Sequence, residues 1–224
     1  MTNFWRAVLT ILWKDILLEV RAKETITPVL VFAFLVVIIF NFAFEPTPLL
    51  VVTVAPGILW VAFTFAGVLG LSRSFAVEKD KGSLDGLMLA PVGREAIYFG
   101  KLLGSFLFML VVELLMLPPF LVLFNVPLFE PEFLITAMVA TLGFAAVGTV
   151  FSAMSVNTRA REIMLPVLFF PIVLPVIIGA VAASGPILEE GSWSDIAGWL
   201  QFMVAFDAIF LVVSSLTFQF VLEE

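Results

Sequence analysis

The sequence predicts an all-α integral membrane protein, six transmembrane helices preceded by an N-terminal amphipathic interfacial helix. Three observations carry this. Of the 224 residues, 62% are hydrophobic and 13% charged, and the mean hydropathy is +1.18, values outside the range of water-soluble domains. The charges are gathered into clusters separated by six apolar stretches, each close to the ~20 residues a helix needs to cross the hydrocarbon. The segment before the first stretch is too charged to cross and has a helical period of its own. Cysteine and histidine are both absent, which excludes disulfides, thiol chemistry, Cys/His zinc centres, histidine-ligated haem and histidine acid–base catalysis.

Residues 3–23 read NFWRAVLTILWKDILLEVRAK. At about 100° per residue, Trp5, Leu9, Leu12, Trp13, Ile16 and Val20 share one face, and Arg6, Thr10, Lys14 and Arg21 gather on another. Such a helix (1–24) lies in the headgroup plane, tryptophans anchored and cations toward anionic lipid. The same face would also suit packing on a soluble partner or on the protein's own spans. With Arg6, Lys14, Asp15, Glu19, Arg21 and Lys23 in its length, the segment does not read as a cleaved signal peptide.

The six spans are expected at about 26–44, 49–72, 101–124, 133–156, 163–184 and 200–222. Thr27 is placed to cap the first span with Pro28 at its first helical position, and Glu45, Pro46 and Pro48 end it. With the N- and C-termini inside, segments 1–25, 73–100 and 157–162 are cytoplasmic, and every Lys and Arg of the chain falls inside, as the positive-inside rule requires. The acidic balance, a net charge of −7, therefore says nothing of a basic partner, and no nucleic acid is expected.

The longest loop of this arrangement, 73–100, holds VEKDKGSLDGLMLAPVGREAIYFGK, running from 77 to 101. Within it GSLDGLMLAP predicts a short helix, with Ser83 as cap, Asp85 complementing the positive end of the dipole and Pro91 limiting the other end. Leu84, Leu87 and Met88 then share a face, flanked by Glu78, Lys79, Asp80, Lys81, Arg94 and Glu95. Either this face docks into a groove of a cytosolic partner, or the loop rests on the membrane.

Two carboxyls fall inside spans, where an ionised one costs about 2.5–3.5 kcal/mol. Glu113 sits near the middle of span three, either lining a polar interior or packed uncharged. Asp207 is expected about a third of the way into span six, nearer the outer face. Pro118 and Pro119 in span three and Pro166, Pro171 and Pro175 in span five invite kinks, for alternating access or as static shape. In span four Ala137, Thr141, Ala145, Thr149 and Ala153 form a small-residue stripe for close helix approach. Trp60 either packs in the core or walls an apolar cavity.

The wording LWKDILLEVRAKE, FAVEKDKGSLDGLMLAPVGREAIYFGK and LPVLFFPIVLPVIIGA resembles the CcmB family of cytochrome c maturation permeases, across essentially the whole chain. Its most specific part is the pattern E-x-x-x-G-x-L-D-x-L-x-L-x-P-x-x-R-x-x-I-x-x-x-K, met by Glu78, Gly82, Leu84, Asp85, Leu87, Leu89, Pro91, Arg94, Ile97 and Lys101. The resemblance implies the type-2 ABC exporter fold, in two paired copies in a bacterial inner membrane. It implies a coupling helix docking on the ATPase CcmA through Glu78, Gly82, Leu84, Asp85, Leu87, Met88, Leu89, Pro91 and Arg94, and assembly with CcmC, CcmD and the haem chaperone CcmE. Haem would be substrate of the complex, and ATP would bind the partner, since no G-x-x-x-x-G-K-[ST] pattern occurs here. The alternatives are a type-2 exporter subunit for lipid or polysaccharide, or a stand-alone secondary transporter, which would want more intramembrane ionisable groups and internal repeats.

Overall fold

A computed structural model describes residues 2–22, 26–44, 48–80, 82–126, 128–156, 161–189 and 191–221. The elements among them are all helical: α1 (Thr2–Ala22), α2 (Ile26–Phe44), α3 (Pro48–Asp80), α4 (Ser83–Leu89), α5 (Arg94–Phe124), α6 (Pro131–Ser155), α7 (Arg161–Leu188) and α8 (Trp193–Val221). Six of these, α2, α3 and α5–α8, are long and apolar enough to cross a membrane, so the chain is a multi-pass membrane protein.

The helices overrun the apolar stretches that announce them. Span two, expected to stop at 72, continues as helix to Asp80, and span three, expected from 101, begins at Arg94. The charges that end the uncharged run do not end the helix: Glu78 and Lys101 are buried against each other, and Arg73, Lys79, Asp80 and Glu95 lie on exposed faces. Two expected caps also differ. Helix α2 starts at Ile26, whose N–H donates to Glu19 Oε1 at 2.8 Å, so Thr27 lies already inside it. Ser83 donates its hydroxyl back to the carbonyl of Glu78 at 3.2 Å and leaves the first turn of α4 without a side-chain cap.

At the centre stands α6, packed on α3, α5, α7 and α8. Its small-residue stripe is what admits them: Ala137, Thr141, Ala145, Thr149 and Ala153 are all buried. Ser152 donates to the carbonyl of Leu71 on α3 at 2.6 Å, and Tyr98 on α5 to the carbonyl of Ala146 at 3.2 Å. Trp60 is a core residue, its indole N–H donating to Ser184 on α7 at 2.9 Å. Helix α5 runs through Pro118 and Pro119 and ends where Asn125 takes a left-handed conformation (φ 53), its N–H returning to the carbonyl of Leu121. Helix α7 is continuous through four prolines.

The first helix packs on the protein's own spans, through a face beside the one that carries its tryptophans. Val8 and Ile11 are buried as α1 packs along α5. Trp5, Leu9, Trp13 and Val20 remain exposed, an apolar stripe facing the surroundings of the bundle.

Candidate functional site

Where α1, the last turns of α3 and the first turns of α5 meet, four charged side chains close into a ring of alternating sign. Lys14 Nζ lies 3.1 Å from Asp15 Oδ1, Asp15 Oδ2 lies 3.1 Å from Lys101 Nζ, and Lys101 Nζ lies 2.7 Å from Glu78 Oε2. Glu78 Oε1 completes the circuit by accepting from Lys14. The α3 and α5 members are almost fully enclosed, Lys101 with 1% and Glu78 with 4% of the side chain exposed. Lys101 also stands over the ring of Phe75, 5.1 Å from its centroid, a cation–π contact that adds to its anchoring. A lysine this deep is tolerated only because two carboxylates face it. Burial, which favours the neutral amine, is outweighed at Lys14 by Asp15 and Glu78, and its pKa rises above the ordinary lysine value.

The ring depends on how closely α1 can approach. Gly100 and Gly104 of the run GKLLG bracket Lys101 at the small-x-x-x-small spacing that lets two helix backbones meet. A Cβ on Gly100 would lie 2.8 Å from Ile11 Cβ and Cγ2 and 3.2 Å from the carbonyl oxygen of Val8, and one on Gly104 would lie 3.3 Å from Asp15 Oδ2. The two glycines thus make the groove in which α1 lies, and Asp15 reaches Lys101 from it.

Helix α4 leaves α3 at this same end. The chain turns at Gly82 (φ 66), a left-handed conformation that favours glycine, with its N–H donating to the carbonyl of Lys79 at 3.0 Å. Of the residues that the sequence singles out for docking, Met88 and Leu89 are exposed, Leu89 by 86%. Leu87 is half-buried and packs toward the cluster of Ile11, Ile97, Tyr98 and Leu102. The side chains of Leu84 and Asp85 lie outside the described residues. Pro91 is exposed and, with Leu87, lines a cleft of about 560 Å³ whose opposite wall is Phe4, Arg6, Thr10 and Ile11 of α1. Arg94 is half-buried and donates to the carbonyl of Gln219 on α8 at 2.8 Å. Glu78 is turned inward, into the ring.

Sequence reasoning passed over Lys14, Asp15, Gly100 and Lys101 as a unit. The signal was present in GKLLG and in a lysine at the start of an apolar span, but the partners are 64 and 86 positions away.

The two intramembrane carboxyls flank α6. Glu113 accepts from the Thr141 hydroxyl at 2.6 Å, and its other oxygen has no hydrogen-bond partner among the described residues. It borders a cavity of about 10 Å³ walled by Trp60, Phe63, Thr64 and Phe144, room for about one water. Asp207 is at the midpoint of α8 and packs on Gly143, the midpoint of α6, where an added Cβ would collide with its Oδ1. Helix α8 begins at Trp193 rather than at 200, which puts Asp207 halfway along it rather than a third of the way.

Comparison with known proteins agrees with this arrangement. The family model described as CcmB protein matches residues 6–223. Among curated relatives, heme exporter protein B of Rhodobacter capsulatus is 30% identical over 171 residues, covering 75% of this chain and 78% of that protein. Heme exporter protein B of Pseudomonas aeruginosa is 30% identical over 168 residues, covering 73% and 75%. The protein of the same name from Escherichia coli K12 is 28% identical over 186 residues, covering 76% and 80%. With the match running through all six spans and the charged segment between α3 and α5, the chain belongs to the CcmB family.

Proposed function

We propose that this chain is the membrane permease subunit of an ABC complex for cytochrome c biogenesis, non-catalytic itself and driven by a separate ATPase, CcmA. The observation that carries the reading is α4, a short helix set off from α3 by the left-handed Gly82, with Met88 and Leu89 turned outward at the end of the bundle where the cations collect. In this reading that end is cytoplasmic, as are both termini, and the membrane is the bacterial inner membrane. An exposed Met/Leu pair on a short helix fits a hydrophobic groove on a partner, and segment 78–94 would receive the push when the ATPases close on ATP. Two copies of the chain, one for each ATPase, complete the exporter, with CcmC, CcmD and CcmE as further partners.

The named relatives are heme exporters, which supports haem as the cargo. The work is best spent on releasing haem-loaded CcmE from the complex. That version is supported by a chain with no histidine to ligate the iron and by a cavity beside Glu113 too small for a macrocycle.

The test is co-purification of the ATPase with the chain at matched membrane expression. Met88→Asp/Leu89→Asp should lose the ATPase while still inserting, and retention at the native level would reject the docking role of α4.

A further inference from the structure

The ring of charges is more than a local neutralisation. It draws one residue from α3, one from α5 and two from α1, and the last two reach it only because Gly100 and Gly104 seat α1 against α5. No backbone hydrogen bond is needed for α1 to be held there, and its exposed tryptophan face would serve equally well if α1 floated free in the membrane interface. What distinguishes the two arrangements is the burial of Val8 and Ile11 and the ring, and only the ring ties α1 to α3 as well as to α5. Its α3 and α5 members are the residues that stand at either side of the α4 segment, and α4 itself is tied back to this spot by the Ser83 hydroxyl on the Glu78 carbonyl.

We propose that Lys14, Asp15, Glu78 and Lys101 form a clamp that makes α1 one rigid body with the adjoining ends of α3 and α5, so that movement imposed on α4 is delivered to both spans together. The clamp residues are positioning residues. They touch neither nucleotide nor cargo, and they fix the base from which α4 projects. The inference rests on the reading that segment 78–94 receives the ATPase, and it adds to that reading where the load goes next. Opposite charges at every corner make the clamp stiff in the sense that a corner that leaves takes one of two partners from each of its neighbours, at most cost beside the enclosed Glu78 and Lys101.

The chain has no cysteine, so introduced pairs carry nitroxide labels uniquely. The full chain, assembled with its ATPase in phospholipid nanodiscs, is labelled at Leu9→Cys on α1 and Leu114→Cys on α5, both exposed positions, and their separation is read by double electron–electron resonance. A second pair, Leu114→Cys and Val212→Cys on α8, reports movement among the spans. With the native ring the first pair should give one narrow distance, the same with and without a non-hydrolysable ATP analogue, while the second pair shifts with the analogue. Lys101→Met should broaden the first distribution and abolish the nucleotide shift of the second while the ATPase stays bound. Inverting all four charges (Lys14→Glu, Asp15→Lys, Glu78→Lys, Lys101→Glu) should restore both, because alternation is kept. Where Lys101→Met fails to reach the membrane, Glu78→Gln is read in its place with the same expectation. An unchanged narrow first distribution in the broken ring overturns the clamp, as does a nucleotide shift in the second pair that survives it. Failure of the docking reading shows separately, as absence of the ATPase from the native-ring chain, and the first label pair then still decides the clamp.

Discussion

Lys101 Nζ on α5 lies 2.7 Å from Glu78 Oε2 on α3, with 1% and 4% of the two side chains exposed. Removing one partner leaves the other with a single opposite charge, Lys14 for Glu78 or Asp15 for Lys101, in a place water does not reach. Lys101→Met should therefore cost about 3 kcal/mol, the low end of the range for breaking a buried pair, because Lys14 still neutralises Glu78. The double replacement Lys101→Met/Glu78→Gln should cost less than the sum of the two single ones, since residues in one network do not act independently. Unfolding in a denaturing-detergent titration, followed by helical circular dichroism, measures all three.

The seating of α1 should be indifferent to pH around neutrality as far as Lys14 is concerned. Its pKa is raised in the folded chain, so its contribution is fully present below the unfolded value, 10.5, and is lost only as pH rises through the higher folded value. The α1 to α5 label distance should stay constant from neutral pH to that limit and broaden only beyond it. Broadening near neutrality would assign the holding force to another group.

At Gly100 the fit between α1 and α5 leaves no space for a methyl group. Gly100→Ala should destabilise by about 1–3 kcal/mol, the usual cost of overpacking, and Gly100→Ala/Ile11→Ala should recover part of it by shortening the side chain that the new Cβ meets. Gly198 offers the control. An added Cβ there meets nothing within 4 Å, so Gly198→Ala inside α8 should be neutral or stabilising by up to about 1 kcal/mol. Thermal loss of monodisperse protein in size-exclusion chromatography ranks the variants.

Glu113 and Thr141 form a pair whose two halves should respond differently to substitution. Glu113→Gln keeps a carbonyl oxygen for the Thr141 hydroxyl and should hold stability within about 1 kcal/mol. Thr141→Val removes the donor and leaves a buried acceptor without a partner, at a cost of about 1–3 kcal/mol. The same thermal assay separates them, and equal losses would mean that the hydrogen bond contributes nothing.

Most of the architecture was legible because its cause is local. Six apolar stretches predict six crossing helices, and the 3.6-residue period of 3–23 predicts α1, down to the face that carries Trp5 and Trp13. The errors fall where a distant residue decides. An uncharged run ends at Arg73, but the helix does not, because Glu78 meets Lys101 across the bundle. The start of α8 was set too late for a related reason: the helix takes in Trp193, Ser194 and Asp195, polar or bulky residues that an apolar window rejects. Ser83 and Thr27 are good capping residues in isolation, yet the first serves the Glu78 carbonyl, and Glu19 satisfies the end of α2 before Thr27 can. Of the face expected from sequence, Leu84, Leu87 and Met88, the structure exposes Met88 and packs Leu87 toward the bundle. That Glu78, in the same motif, faces inward could not be read from sequence, since nothing in its neighbours distinguishes a solvent-facing carboxylate from a ring member.

Helix α6, the most buried of the six long helices in the finished bundle, precedes α7 and α8 in the chain and so enters the membrane while they are still being made. Its hydroxyls are arranged for that order of events. Thr136 and Thr149 donate to carbonyls one turn back in α6 itself, those of Glu132 at 2.8 Å and Ala145 at 2.7 Å. Thr141 and Ser152 donate to Glu113 on α5 and to Leu71 on α3, helices synthesised earlier. Each of these four groups can therefore be satisfied at the moment α6 meets lipid, with no debt left for a later helix to settle. The buried centre of the bundle can be assembled in the direction of translation, and α7 and α8 close over an α6 in which these four hydroxyls already have their partners.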